Sequence, residues 1–215
     1  GDIVYRDGSG LAKLGAGTSG QVLQTGGSGA NPSWVDTSGG DVVKLATGTL
    51  SGSAVSIDGY YTSDYDFYKI IVMNVRSDTS GRGFRMRFNS GGSALTGSNY
   101  RYVYKGAYAS SGGTTDNQGS EWGQGWINTS WDMSTGSDRG SMYQIDIYDP
   151  LDTTNQKFIN YQASIDNADA QNIVVLHGSS YYNALGNTAM SGMTLFPQPS
   201  SNFAGGIWKL YGYKA

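Results

Sequence analysis

Phe84-Arg85-Met86-Arg87-Phe88 alternates apolar and cationic side chains without a break. In an extended chain successive side chains point to opposite faces, so the three apolar residues share one face and the two arginines the other. The same period of two recurs along the chain. Tyr100 to Tyr104 (YRYVY) places Tyr100, Tyr102 and Tyr104 together, and Met142 to Tyr148 groups Tyr143, Ile145 and Ile147. Phe158 to Ile165 aligns Ile159, Tyr161, Ala163 and Ile165. Phe67 to Val75 (FYKIIVMNV) is a nearly continuous apolar run, the pattern of a central strand. Ile173 to Leu176, Met193 to Phe196 and Ile207 to Tyr213 add further strand signals. Gly, Ser, Asn, Asp and Thr clusters between them supply turn chemistry. No window long enough for a helix keeps a helical period. These signals predict an all-β fold of about eight to ten strands, an antiparallel β-sandwich of the jelly-roll kind.

Composition narrows the chemistry. The 215 residues include no cysteine, one histidine (His177) and one glutamate (Glu121) against sixteen aspartates. Without cysteine there is no disulfide framework, thiolate nucleophile or iron–sulfur site, and one histidine excludes a multi-histidine metal site within the chain. The length is sufficient to bury a core without a structural metal, and no cofactor is expected. The net charge of −3 is scattered, with no basic stripe to neutralise phosphates, which argues against nucleic acid as a partner. No apolar run approaches the ~20 residues that span a bilayer, so membrane insertion is not expected. The chain opens on Gly1 rather than Met, and reads as part of a longer protein.

The sequence has two unlike parts. Of its 27 aromatic residues only Tyr5 and Trp34 precede Tyr60, whereas the first 56 residues carry 13 glycines. Short apolar clusters (Ile3-Val4-Tyr5, Leu11 to Leu14, Val22-Leu23, Trp34-Val35) recur between those glycines. Such a segment cannot bury enough apolar surface alone to offset chain entropy. Its strands need something outside it, and another copy of the same chain is the most economical partner. The expected organisation is a glycine-rich stem over 1–40, a connecting strand or neck over 41–59, and a sandwich head over 60–215.

Gly1-Asp2-Ile3-Val4-Tyr5, then Leu11-Ala12-Lys13-Leu14, Gly17-Thr18-Ser19-Gly20-Gln21-Val22-Leu23 and Pro32-Ser33-Trp34 follow one another in a specific order and spacing. This stretch resembles a repeat module of bacteriophage fibre proteins. Gly206-Ile207-Trp208-Lys209-Leu210-Tyr211-Gly212 is similar to the last strand of many phage fibre-tip sandwiches, a shorter match. The resemblance implies a virion protein, an intertwined homotrimer, with an N-terminal stem that meets other virion proteins and a distal head. Fibre modules often recur in tandem, whereas one copy is present here.

Catalysis is weakly supplied. Glycoside hydrolysis generally needs two carboxylates of different character, and the single glutamate lies in a loop-like stretch beside Trp122. His177 follows a strand end and reads as structural; no nucleophile-elbow sequence accompanies it. The chain is not expected to be an enzyme. Asp146, Asp149 and Asp152, or Asp166 and Asp169, could offer oxygen ligands to calcium, but neither group matches a calcium-loop pattern. They read as turn-forming aspartates, and no metal is expected.

Recognition fits better. Glu121 to Trp131 (EWGQGWINTSW) holds Trp122, Trp126 and Trp131, three of the five tryptophans, among Gly, Gln, Asn, Thr and Ser. Indoles stack on the apolar faces of sugar rings while amides bond the hydroxyls; the competing reading is strand core, with Trp126 and Trp131 facing inward. Ala109 to Gly119 and Gly178 to Met190 read as polar, tip-like loops, with Tyr181 and Tyr182 as exposed contacts. Arg82, Arg85 and Arg87 form a basic cluster that meets acidic glycans or pairs with Asp across strands. Together these features predict a fibre head that binds a bacterial surface glycan such as lipopolysaccharide. The alternative is a capsid-decorating spike, head-fibre or cement protein on the capsid surface.

Overall fold

The computed structural model describes residues 1–37, 40–110, 113–137, 140–167, 172–183 and 188–214; the side chains of 110, 113–117, 130–131, 167 and 172 are not described. All regular structure among them is β-strand. The chain divides into two compact units, Gly1–Gly40 and Asp41–Ala215.

The first unit holds two antiparallel hairpins, β1 (Ile3–Arg6) with β2 (Leu11–Leu14) and β3 (Gln21–Gln24) with β4 (Ser33–Asp36). Asp7 accepts the amides of Ser9 and Gly10 at 2.7 and 2.8 Å and closes the first turn. Trp34 donates its indole N–H to the Gly15 carbonyl at 2.7 Å, and its ring lies where a Cβ on Gly17 would stand. None of the described residues of this unit is buried, and Leu11 is 83% exposed.

The second unit contains β5 (Val42–Thr49), β6 (Val55–Asp58), β7 (Tyr65–Ser77), β8 (Gly83–Ser90), β9 (Ser93–Ala94) and β10 (Tyr100–Ser110). It continues with β11 (Gly113–Gln124), β12 (Ile127–Asp132), β13 (Ser141–Tyr148), β14 (Lys157–Asn167), β15 (Asn172–Tyr182), β16 (Gly192–Pro197) and β17 (Phe203–Lys214). An eight-stranded sheet runs β11-β10-β15-β14-β13-β7-β17-β5, and a smaller one runs β12-β8-β16-β6 with β9 beside β8. Every pairing is antiparallel. Residues 41–59, read as a neck, are shared between the sheets as β5 and β6.

The two sheets close over one core, a sandwich-like arrangement, and the period-two readings hold. Phe84, Met86 and Phe88 are fully buried, as are Ile145, Ile147, Ile159 and Ile165 from the large sheet. Phe84 stacks on Tyr143 across the core with ring centroids 4.2 Å apart. The Tyr100 hydroxyl ties the sheets by a polar route, accepting Phe88 N–H at 2.9 Å and donating to the Leu95 carbonyl at 3.0 Å. Each large apolar side chain enclosed here contributes roughly 1.5–3 kcal/mol. β7, the long apolar run, lies centrally between β13 and β17.

Three expectations need correction. The described strands outnumber the eight to ten expected. Residues 113–119, read as loop, belong to β11 together with Glu121, and Gly178 to Tyr182 belongs to β15. The first segment is rich in Gly, Asp, Asn and Gln and the second opens on Gly-Ser-Ser, but pairing with β10 along both supplies the backbone bonds and overrides propensity. The remaining parts of those two stretches, at 111–112 and 184–187, lie outside the described residues.

Candidate functional site

One face of the eight-stranded sheet carries the core. On the other, the register gathers side chains from every strand into rows that cross the sheet. Trp122 of β11 stands opposite Arg101 of β10, Arg101 opposite Tyr181 of β15, and Tyr181 opposite Phe158 of β14. Tyr148 of β13 lies one residue beyond the pair Ile147–Ile159 and faces Phe67 of β7. Phe67 faces Tyr213 of β17, and Tyr213 faces Val42 of β5.

These residues touch. The Arg101 guanidinium lies 4.2 Å over the Trp122 ring and donates from Nη1 to the Tyr181 hydroxyl at 3.1 Å. Ring centroids are 5.3 Å apart for Phe158 and Tyr181, 5.1 Å for Phe67 and Tyr148, and 4.6 Å for Phe67 and Tyr213. Trp122 is 70% exposed, and Phe158 and Tyr148 are also exposed. The result is an aromatic row open to solvent.

Two polar rows run beside it. The nearer one passes through Ser120, Val103, Ser179, Asn160, Asp146 and Lys69. Lys69 Nζ stands 3.3 Å from Asp146 Oδ1, an ion pair in which Oδ1 accepts no hydrogen bond of good geometry from the described residues. The farther row includes Gln118, Lys105, His177, Gln162 and Gln144. A depression of about 260 Å³ is lined by Arg101, Trp122, Phe158 and Tyr181, and one of about 490 Å³ by Lys105, Asn160, Gln162, His177 and Ser179. Flat apolar ring faces beside amides, hydroxyls and cations suit a ligand that is apolar on one side and hydroxylated along its edges.

The sequence-derived candidates separate. Trp122 and Tyr181 belong to this face. Tyr182, the next residue, points into the core, is 8% exposed and packs 4.9 Å from the Tyr100 ring. Trp126 lies on the outer side of the small sheet, half-buried, because the chain leaves β11 after Gln124 and enters β12 at Ile127. Gly123, at φ 71°, permits the bend just before that exchange. Arg85 stacks over Trp126 at 4.5 Å; Arg87 donates to the Gly125 carbonyl at 2.6 Å and lies 4.4 Å over Phe196. Among the described residues these two arginines therefore meet aromatic rings rather than carboxylates, and burial lowers the pKa of both from the ordinary arginine value. Arg82 has a buried Nε with no hydrogen-bond partner among the described residues. Trp131 belongs to β12, but its side chain lies outside the described residues.

Arg101, Phe158, Tyr148, Phe67 and Tyr213 went unread as site residues. Their signal was present: in strands of period two they are aromatic or charged at the phase opposite the core. Glu121 is exposed and accepts Gln124 Nε2 at 3.2 Å. His177 stands between Lys105 and Gln162 in the register, with no carboxylate opposite it. Among the described residues no three His, Asp or Glu side chains gather as a metal site. Asp152 instead accepts the amides of Thr154 and Asn155 at 2.6 and 3.1 Å, which holds its carboxyl below the usual range. Asp169 lies outside the described residues. No helix among the described residues is long and apolar enough to cross a membrane.

No family model matches the sequence, and no curated protein matches it.

Proposed function

We propose that this chain is a bacteriophage virion fibre protein whose head attaches the particle to a bacterial surface glycan and performs no reaction on it. The observation that carries this reading is the solvent-open row from Trp122 to Tyr213, bordered by amides, hydroxyls and cations. Aromatic faces give stacking area at low entropy cost, and the polar rows give the hydrogen bonds that hydroxyls require.

The first unit supports the fibre part of the reading. Val4, Leu11, Val22 and Leu23 are exposed in a segment whose described residues enclose no core. Copies of the same chain would cover them, so the unit is taken as the stem of an intertwined homotrimer and the second unit as its jelly-roll-like head. Three heads on one fibre turn weak individual sites into tight attachment through effective concentration.

The test is adsorption. Purified chain at saturation should block binding of its phage to host cells, and Trp122→Ala should not block while remaining folded. Failure of the unaltered chain to block would favour a spike or cement protein on the capsid. Light scattering should give about three times the 22.9 kDa chain mass; a monodisperse single chain would remove the stem argument.

A further inference from the structure

We infer that the ligand of the large sheet is the interior of an extended, anionic polysaccharide chain laid across the strands along the Trp122-to-Tyr213 row, rather than a terminal sugar held in a pocket. The inference rests on the glycan-binding reading above.

Direction comes from the register. The row crosses the strands, and neighbouring strands lie about 4.8 Å apart, close to the length of one pyranose unit in an extended chain. Successive sugars therefore fall over successive strands: Trp122, Tyr181, Phe158, Tyr148, Phe67 and Tyr213 follow one another, with Arg101 between the first two. From edge to edge the row is about 34 Å long, space for roughly six or seven units.

Within the second unit the row runs from one edge of the sheet to the other. It begins on β11 and finishes on β5, the two edge strands of the sheet, with exposed Trp122 at one end and exposed Val42 at the other. A pocket for a chain terminus needs a wall. An edge-to-edge row instead lets the polymer continue past both sides.

Charge selects the class. The aromatic row and its two polar neighbours contain Arg101, Lys69, Lys105, Lys209 and Lys44, against the carboxylate of Asp146 among the described residues. The chain as a whole is −3, so this cationic excess is local to the face. It favours sugars bearing carboxylate or phosphate.

A second copy of the chain fits the face less well. Homo-oligomer interfaces are apolar at their centre and depleted of charge. Here most apolar side chains lie in two strips, the aromatic row and one through Val175, Met142 and Ile207, and the rows between them are largely polar, with Val103, Ile71 and Tyr211 interspersed. The centre of the face is amide, hydroxyl, imidazole and an ion pair.

The experiment uses the full chain and surface polysaccharide released from an adsorbing strain, cleaved and sorted by length, with binding read from tryptophan fluorescence. Affinity should rise with each added unit to about six, then level, and should fall as salt is raised. Trp122→Ala and Tyr213→Ala, at opposite ends, should each weaken the longest fragments about tenfold, and Trp122→Phe should restore most of the loss. Full affinity already reached with one or two sugars would overturn the inference and leave the glycan reading intact. Binding of no fragment, while the chain still blocks adsorption, would overturn both. A Trp122→Ala chain whose particle mass falls by light scattering would assign the face to contacts between copies, and the inference would fail.

Discussion

Arg101 and Trp122 face each other across the β10–β11 pair, and the guanidinium lies 4.2 Å over the indole while also bonding the Tyr181 hydroxyl. One planar cation thus fixes two aromatic side chains on either side of it. Lysine keeps the charge but has neither the plane nor the fork. Arg101→Lys should therefore weaken attachment severalfold in an adsorption-blocking assay. Stability should change by no more than about 1 kcal/mol, because exposed stacking of this kind contributes only ~0.5–1 kcal/mol.

Tyr181 and Tyr182 are adjacent and have opposite roles. Tyr182→Ala removes a core ring packed against Tyr100 and should cost about 3–5 kcal/mol in a denaturant titration. Tyr181→Ala should stay within about 1 kcal/mol of the parent and reduce attachment. If both variants lose only stability, Tyr181 has no place in binding.

Gly178 makes room for Tyr161. The two residues are cross-strand partners, and a Cβ on Gly178 would collide with the Tyr161 ring. Gly178→Ala should cost roughly 1–3 kcal/mol from overpacking. Adding Tyr161→Ala should then cost less than it does alone, since the methyl group and the ring compete for one space. Additive losses would refute that competition.

The core should be sensitive to alkali. Burial, more than the nearby Tyr68 and Asp58, pushes the Tyr61 hydroxyl far above its ordinary value of 10.0, and burial first, then Glu121, pushes Tyr102 up to about 12. A phenol that ionises later when folded binds more protons than the unfolded chain above pH 10. Stability is thus complete below about pH 10 and falls as pH rises, by up to ~1.4 kcal/mol per pH unit for each fully buried tyrosine. The Tyr61 hydroxyl has no hydrogen-bond partner among the described residues, so Tyr61→Phe should leave neutral stability about unchanged and flatten the alkaline decline. Chemical denaturation at a series of pH values measures both.

Much of the core was legible in the sequence. The alternation at Phe84–Phe88, Tyr143–Ile147 and Ile159–Ile165 assigned buried faces that the fold keeps, because the period of two is a property of the backbone alone. The strand β11 was not legible as such, whereas strand core was already one reading of the stretch that holds β12. The Thr, Asn, Gln, Gly and Ser content of β11 reads as turn, and only pairing with β10 makes it extended. The tryptophans of 122–131 looked like one cluster because they are close in sequence; a crossing between sheets at Gly125 and Trp126 separates them.

The sequence by itself determined that this is a β protein, which phase of its regularly alternating strands is core, and that its first forty residues enclose little. Tertiary structure alone decided which strands are neighbours. Trp122, Arg101, Tyr181 and Phe158 come from four strands, and no local pattern announces that they meet. Side-chain alternation is set residue by residue, whereas a row across a sheet depends on the register of every pair between its ends.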